Sequence, residues 1–178
     1  MRNELREATE AAHRRLDAAA GSLPLTCDHD YAIFLKAQYS ARSAMEHAFA
    51  RTTPAGIQAP PAQTPLLACD IASLGRVLPV PAEAPRFDNP LEALGAAWVI
   101  AGSSLGNRTL LARRRKAGLS GADAFLSDPS MPDYFRRLLA VIEAADPSSS
   151  LGPATCGALK CFALFEGAFA DHLMEQAA

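Results

Sequence analysis

The chain has 178 residues, of which 49% are hydrophobic and 20% are charged, and its formal net charge at pH 7 is −2. This length suits one domain with a buried core, so we expect residues 1–178 to form a single domain. The small net charge argues against non-specific nucleic-acid binding.

The cysteine pattern and the apolar stretches predict a cytoplasmic protein without membrane contact. The four cysteines form no C-x-x-C pair, and no apolar start of the signal-peptide kind precedes the first predicted helix. The most apolar stretch, 91–105, is too short to span a bilayer.

Apolar residues recur at three- and four-residue steps along the first half of the chain, which is typical of helices that pack on a core. This spacing predicts helices over 2–20, 28–51 and 64–76, with Asp28 or Asp30 capping the second. Gly21 is expected to end the first helix.

Prolines and helical spacing divide the second half of the chain. Four prolines make 78–90 a connection, and Pro90 suits the first position of a helix capped by Asp88 or Asn89. Further helices are predicted over 90–116, 133–145 and 153–176, with 147–153 as a connection. No segment alternates as a strand does, so the predicted fold is all-α, with about six helices around one core.

His13 lies at the edge of the apolar face of the first predicted helix, next to Ala12 and three residues before Leu16. An imidazole there can ligate iron while its other nitrogen donates a hydrogen bond. Asp17 follows one turn later and can act on that imidazole directly or through water. Spacing alone is more typical of a structural or half-exposed histidine than of an iron ligand.

The predicted helix over 90–116 contains two glycines four residues apart, Gly102 and Gly106, which share one face. Each glycine inside a helix costs about 1 kcal/mol relative to alanine. Close approach of the backbone to a flat ligand is one reason to accept this cost. Tight helix–helix packing is the other reason, and the glycines alone favour packing.

Taken together, these two segments resemble the haem oxygenase family. Leu5, Ala8, Thr9 and His13 are similar to its N-terminal Leu-x-x-Ala-Thr-x-x-x-His motif. The second segment is similar to its glycine-containing distal helix, especially in the bacterial form found beside bacteriophytochromes; the matching residues are Leu94, Gly95, Val99, Gly102, Ser103, Leu105 and Gly106. The resemblance covers nearly the whole chain and implies a haem oxygenase-like helical bundle.

Three positions depart from the family pattern. Trp98 replaces a tyrosine, Ala101 replaces a glutamate, and Asn107 stands where a second glycine is expected. The amide of Asn107 can crowd a distal pocket or hydrogen-bond to bound oxygen. Ser103 stands where mammalian members carry an aspartate, as in similar bacterial members.

The resemblance implies an enzyme that opens haem to biliverdin, ferrous iron and CO, with O2 and electrons from a ferredoxin or a flavin reductase. Haem would be both substrate and cofactor. The resemblance makes His13 the iron ligand and Arg6 a propionate partner. It places the remaining haem contacts at Thr9, Asp17, Trp98, Gly102 and Gly106, and the catalytic distal positions at Gly102, Ser103, Gly106 and Asn107.

Two alternatives stay open from the sequence. The departures at Ala101 and Asn107 suit a haem-binding sensor or carrier of the same fold that does not degrade haem. A helical interaction protein that binds no haem is the third reading. A link to a bacteriophytochrome pathway is expected only through the resemblance.

Overall fold

The computed structural model describes residues 1–174, and within that range it contains helices and no strand. The helices are α1 (Arg2–Gly21), α2 (Asp28–Arg51), α3 (Thr64–Ser73), α4 (Pro90–Ser103), α5 (Asn107–Lys116), α6 (Ala124–Ser127), α7 (Ser130–Ala144) and α8 (Pro147–Met174). A 3-10 turn (Ser104–Gly106) joins α4 to α5. The predicted all-α bundle is therefore confirmed.

The long helix α8 lies at the centre of the bundle and packs against α4, α1 and α2. Its buried side contributes Phe162, Phe165 and Phe169 to a continuous apolar core. The aromatic ring of Phe169 lies 6.0 Å from that of Phe34 on α2. None of the helices in residues 1–174 is long and apolar enough to cross a membrane.

Two glycines set how closely α4 and α8 approach. A Cβ on Gly95 would overlap the backbone of Ala154, and a Cβ on Gly157 would overlap the backbone of Glu92. Each helix therefore offers a bare backbone to the other, and the crossing requires glycine at both positions. This contact fixes α4, the predicted distal helix, on the central helix.

The capping of α4 agrees with the sequence prediction, whereas that of α2 does not. The Asn89 side chain accepts from the amides of Leu91 and Glu92, and Pro90 takes the first helical position. At α2 the prediction of Asp28 or Asp30 as cap was wrong, because the Cys27 sulfur accepts from the amide of Asp30.

The predicted connection over 147–153 was also wrong, because α8 already begins at Pro147. The Asp146 carboxylate accepts from the amide and the hydroxyl of Ser148, at 3.0 and 2.7 Å, and so caps the helix. Pro147 needs no amide hydrogen at the first position. Pro153 removes one helical hydrogen bond, but burial of Ala154 against α4 keeps this part of the chain helical. The predicted end near residue 176 lies outside the described residues.

The predicted helix over 90–116 is broken by the 3-10 turn, and α5 is anchored separately. Arg114 is buried, with its guanidinium 3.5 Å above the ring of Tyr31 and 3.1 Å from the carboxylate of Asp28. This stacking attaches α5 to the start of α2. Arg114 is therefore buried, whereas the neighbouring Arg113, Arg115 and Lys116 are exposed.

Candidate functional site

The His13 imidazole lies on the surface of α1 with one nitrogen engaged. Its Nδ1 is 2.9 Å from the carboxylate of Asp17, and its side chain is 61% exposed. Its ring meets that of Phe162 on α8 edge to face, with 5.9 Å between centroids. When Nδ1 donates to the carboxylate, Nε2 carries the lone pair, which is the arrangement that metal-binding histidines adopt.

The other predicted ligand contacts on α1 are divided between surface and core. Arg6 is exposed, two turns before His13. Thr9 is buried, and its hydroxyl donates to the carbonyl of Leu5 at 2.8 Å. Its only hydroxyl hydrogen is therefore used within the helix.

On the distal segment the two predicted glycines have different surroundings. A Cβ on Gly102 would lie 3.7 Å from the ring of Phe135, an ordinary packing contact, whereas a Cβ on Gly106 would meet nothing within 4 Å. Gly106 has φ −78° and ψ −20°, so its backbone does not require glycine. Of these two glycines, Gly106 is thus the one whose bare backbone does not serve helix packing.

Trp98 and Asn107 are turned toward the protein. Trp98 is partly buried and packs on the apolar core, one turn before Gly102. The Asn107 side chain is buried as well, at the start of α5.

Ser103 ends α4, and its hydroxyl hydrogen is already used in a hydrogen bond within the helix. It donates to the carbonyl of Ile100 at 2.8 Å and accepts from Nη2 of Arg42 at 2.7 Å. Since a hydroxyl has only one hydrogen, Ser103 has none left for a ligand.

Arg42, which sequence reasoning missed, is a buried cation directly behind this turn. It is 2% exposed and donates to the side-chain oxygens of Gln38, Gln63 and Ser103. Its guanidinium carbon lies 5.0 Å from the centroid of the Phe125 ring. Burial lowers the pKa of Arg42 to about 10, so the side chain stays charged at neutral pH. The only sequence signal was an arginine among small residues in the middle of an apolar helix.

The histidine and the distal turn are linked through α8. His13 touches Phe162, and the Arg42 guanidinium lies 5.8 Å from the centroid of the Phe165 ring, one turn further along the same helix. Both phenylalanine rings are only 3% exposed. His13 on α1 and Arg42 on α2 therefore contact neighbouring positions of α8, and Arg42 connects this region to Ser103.

A small cavity lies beside Arg42. It is lined by Arg42, Met45, Glu46, Phe49, Pro60, Pro61, Ile100 and Met131, and its volume is about 10 Å³. This is room for about one water molecule and far too little for a tetrapyrrole. A tetrapyrrole cannot bind in this cavity, and the candidate ligand contacts lie instead at the exposed surfaces of His13 and Gly106.

The chemistry of these two surfaces suits an iron-containing planar ligand. His13 offers an imidazole nitrogen, Nε2, whose partner nitrogen contacts a carboxylate. Gly106 offers backbone with free space where a side chain would stand. The donor type and the bare backbone fit haem.

The fold is similar to that of a solved haem oxygenase. The structure reported for the NO- and CO-bound haem oxygenase of Neisseria meningitidis matches with a TM-score of 0.74 and 21% sequence identity, over 97% of this chain and 91% of that chain. Neither a protein-family model nor a curated protein sequence matches this chain. The chain therefore has the haem oxygenase fold.

Proposed function

We propose that this chain is a haem oxygenase, which opens haem to biliverdin, ferrous iron and CO with O2 and external electrons. The observation that carries the proposal is an exposed imidazole, His13, oriented by Asp17 at 2.9 Å on a helix of the haem oxygenase fold. The electron donor would be a ferredoxin or a flavin reductase. The bacteriophytochrome pathway belongs to the same proposal, as a consumer of biliverdin.

In this proposal α1 supplies the proximal side. His13 would ligate the iron through Nε2, and Asp17 would orient the ring. Arg6 is an exposed cation for a propionate. Thr9 contributes by holding the helix backbone at Leu5 and not by a bond to the ligand.

The distal side would be provided by the end of α4 and the 3-10 turn. Gly106 would lie against the porphyrin face, with Gly102 and Trp98 packed behind it. When bound, haem supplies the iron that takes up O2 and the ring that is oxidised. Ser103 and Asn107 would keep the turn in place and would not donate to the ligand. The Ser103 hydroxyl hydrogen is already used within the protein, and the Asn107 side chain is buried.

The same observation about Ser103 favours a second candidate, a haem-binding sensor or carrier that does not degrade haem. Ring opening requires that the protein and its waters deliver protons to the bound oxygen. In this chain the Ser103 hydroxyl donates to the carbonyl of Ile100 instead. Turnover would then depend on water held by backbone groups.

The test of haem binding is a hemin titration followed by absorbance. The wild type is expected to give a one-to-one complex with a Soret shift, and His13→Ala to lose it or to bind at least about tenfold more weakly. His47→Ala, at an exposed histidine on α2, is the matched control and should bind as the wild type does. A wild type without a Soret shift would contradict any haem function.

The test of turnover uses the same complex, reduced in air with ascorbate or with ferredoxin and its reductase. Loss of the Soret band with appearance of biliverdin and CO is the result expected for the enzyme. A Soret band that persists, with no biliverdin, would replace the first candidate by the second.

A further inference from the structure

Arg42 and Ser103 meet where α2 approaches the end of α4. Arginine can only donate hydrogen bonds, so the 2.7 Å contact requires the Ser103 oxygen to accept. The hydroxyl hydrogen then faces the carbonyl of Ile100, 2.8 Å away. The contact thus fixes both the position and the orientation of the last side chain of α4 before the 3-10 turn.

The guanidinium is itself held in one place by three elements. Gln38, one turn earlier on α2, accepts from Nε, and Gln63 accepts from Nη1. The amide nitrogen of the Gln63 side chain donates to Asp128 at 2.9 Å, and its backbone amide donates to Glu46 at 2.7 Å. Each guanidinium nitrogen has a partner, so Arg42 cannot move without breaking several buried hydrogen bonds.

The charge of Arg42 is not cancelled by a direct ion pair. Its hydrogen-bond acceptors are two amide oxygens and one hydroxyl, and aromatic rings of Phe125 and Phe165 face it. The carboxylate of Asp128 is reached only through Gln63. A positive charge buried in this way acts over a longer distance than an exposed one.

We infer that Arg42 is a positioning residue for the 3-10 turn: it holds Ser103, and through Ser103 the backbone at Gly106, in a fixed place beside a buried positive charge. The inference rests on the proposed function, because the turn matters as the surface that would face haem. Arg42 itself would not touch the ligand, since it is 2% exposed behind Ser103.

Amide hydrogen exchange tests the positional part without any ligand. Arg42→Met and Ser103→Ala are each expected to raise exchange at residues 103–107 roughly tenfold, the factor typical of losing a hydrogen bond to a charged group. The double variant should add little to either change, because both remove the same contact. Arg42→Lys should keep the charge but not the fork of contacts, and so should also raise exchange.

A general loosening would contradict the inference. This result would be faster exchange spread over α2 and α7 without enhancement at 103–107, or additive effects in the double variant. If Arg42→Met does not fold, Ser103→Ala alone decides, because removal of the Ser103 hydroxyl leaves the hydrogen bonds of Arg42 to Gln38 and Gln63 in place. Unchanged exchange at residues 103–107 in this variant would then overturn the inference.

The reduction potential of the haem complex tests the role of the charge. Arg42→Met should lower the potential measurably, because a positive charge stabilises the reduced state. Arg42→Lys and Ser103→Ala should stay near the wild type, since both retain a cation. Equal potentials in the wild type and Arg42→Met would contradict this part. If hemin does not bind at all, the proposed function fails while the exchange result still decides the positioning role.

Discussion

At the scale of single residues, Gly106 is a glycine that neither the backbone conformation nor the packing of the fold requires. Its φ and ψ suit any residue, and nothing in the protein lies within 4 Å of the place of its Cβ. Glycine is therefore not needed for folding here. A substitution at Gly106 can therefore test contact with a ligand without disturbing the fold.

We expect Gly106→Val to fold with the stability of the wild type and to bind hemin roughly tenfold or more weakly, because added methyl groups would occupy the space of the porphyrin. Gly152→Val is the control, since its Cβ also meets nothing, about 15 Å along α8 from Phe162. Thermal unfolding and hemin titration measure both properties. Equal affinity in the two variants would remove Gly106 from the proposed site.

At this scale the sequence predicted the exposed chemistry better than the buried chemistry. The helical period alone brings Asp17 within reach of His13, and the structure has these side chains in contact. Arg42 could not be found in this way, because its partners Gln63 and Ser103 come from distant segments. Contacts between distant segments cannot be predicted from the local spacing of residues.

Among the contacts between helices, the crossing of α4 and α8 tolerates an added side chain least. Gly157→Ala would place a methyl group into the backbone of Glu92, and separation of the helices is the only relief. We expect a loss of about 3 kcal/mol in the free energy of unfolding, or about 6–12 °C in Tm.

Gly167→Ala is the matched control on the same helix, because its Cβ would meet nothing within 4 Å. It should leave Tm unchanged or raise it slightly, since alanine favours a helix. Similar losses in both variants would mean that helix propensity, and not the crossing, determines the effect. Circular dichroism during thermal unfolding measures both variants.

Element boundaries were predictable where a local cap marks them and not where packing decides them. Asn89 and Pro90 mark the start of α4 in the sequence itself. The seven residues from Pro147 to Pro153 have the composition of a loop, yet contacts of Ala154 and Gly157 with α4 keep them helical. The 3-10 turn likewise lies between two anchors to α2, at Arg42 and Arg114.

For the whole molecule, stability should depend on pH through the pair Glu92 and Lys160. Burial raises the pKa of Glu92, but hydrogen bonds from Lys160 at 2.7 Å and from the amide of Asp88 outweigh it and hold the pKa below its ordinary value. The pair therefore stabilises the fold above the ordinary glutamate pKa. This contribution is lost as the pH falls through the lowered pKa of Glu92.

We expect Glu92→Gln to lower the free energy of unfolding by about 1 kcal/mol at pH 7, or Tm by about 2–4 °C. The difference from the wild type should vanish in acid, where both side chains are neutral. Glu83→Gln, at an exposed position, is the control and should follow the wild type at each pH. A difference that is constant with pH would exclude the ion pair as its cause. Thermal unfolding from pH 3 to 8 measures these differences.

The first helix is supported from one side only. It packs mainly on α8 and to a small extent on α7, whereas α2 and α4 each pack on α8 through the core. Outward tilting of α1 as a rigid rod would consequently leave the rest of the bundle assembled. Entry of a planar ligand about the size of a porphyrin would then need no global unfolding. The rate of ligand association would depend on how often α1 tilts away from the bundle.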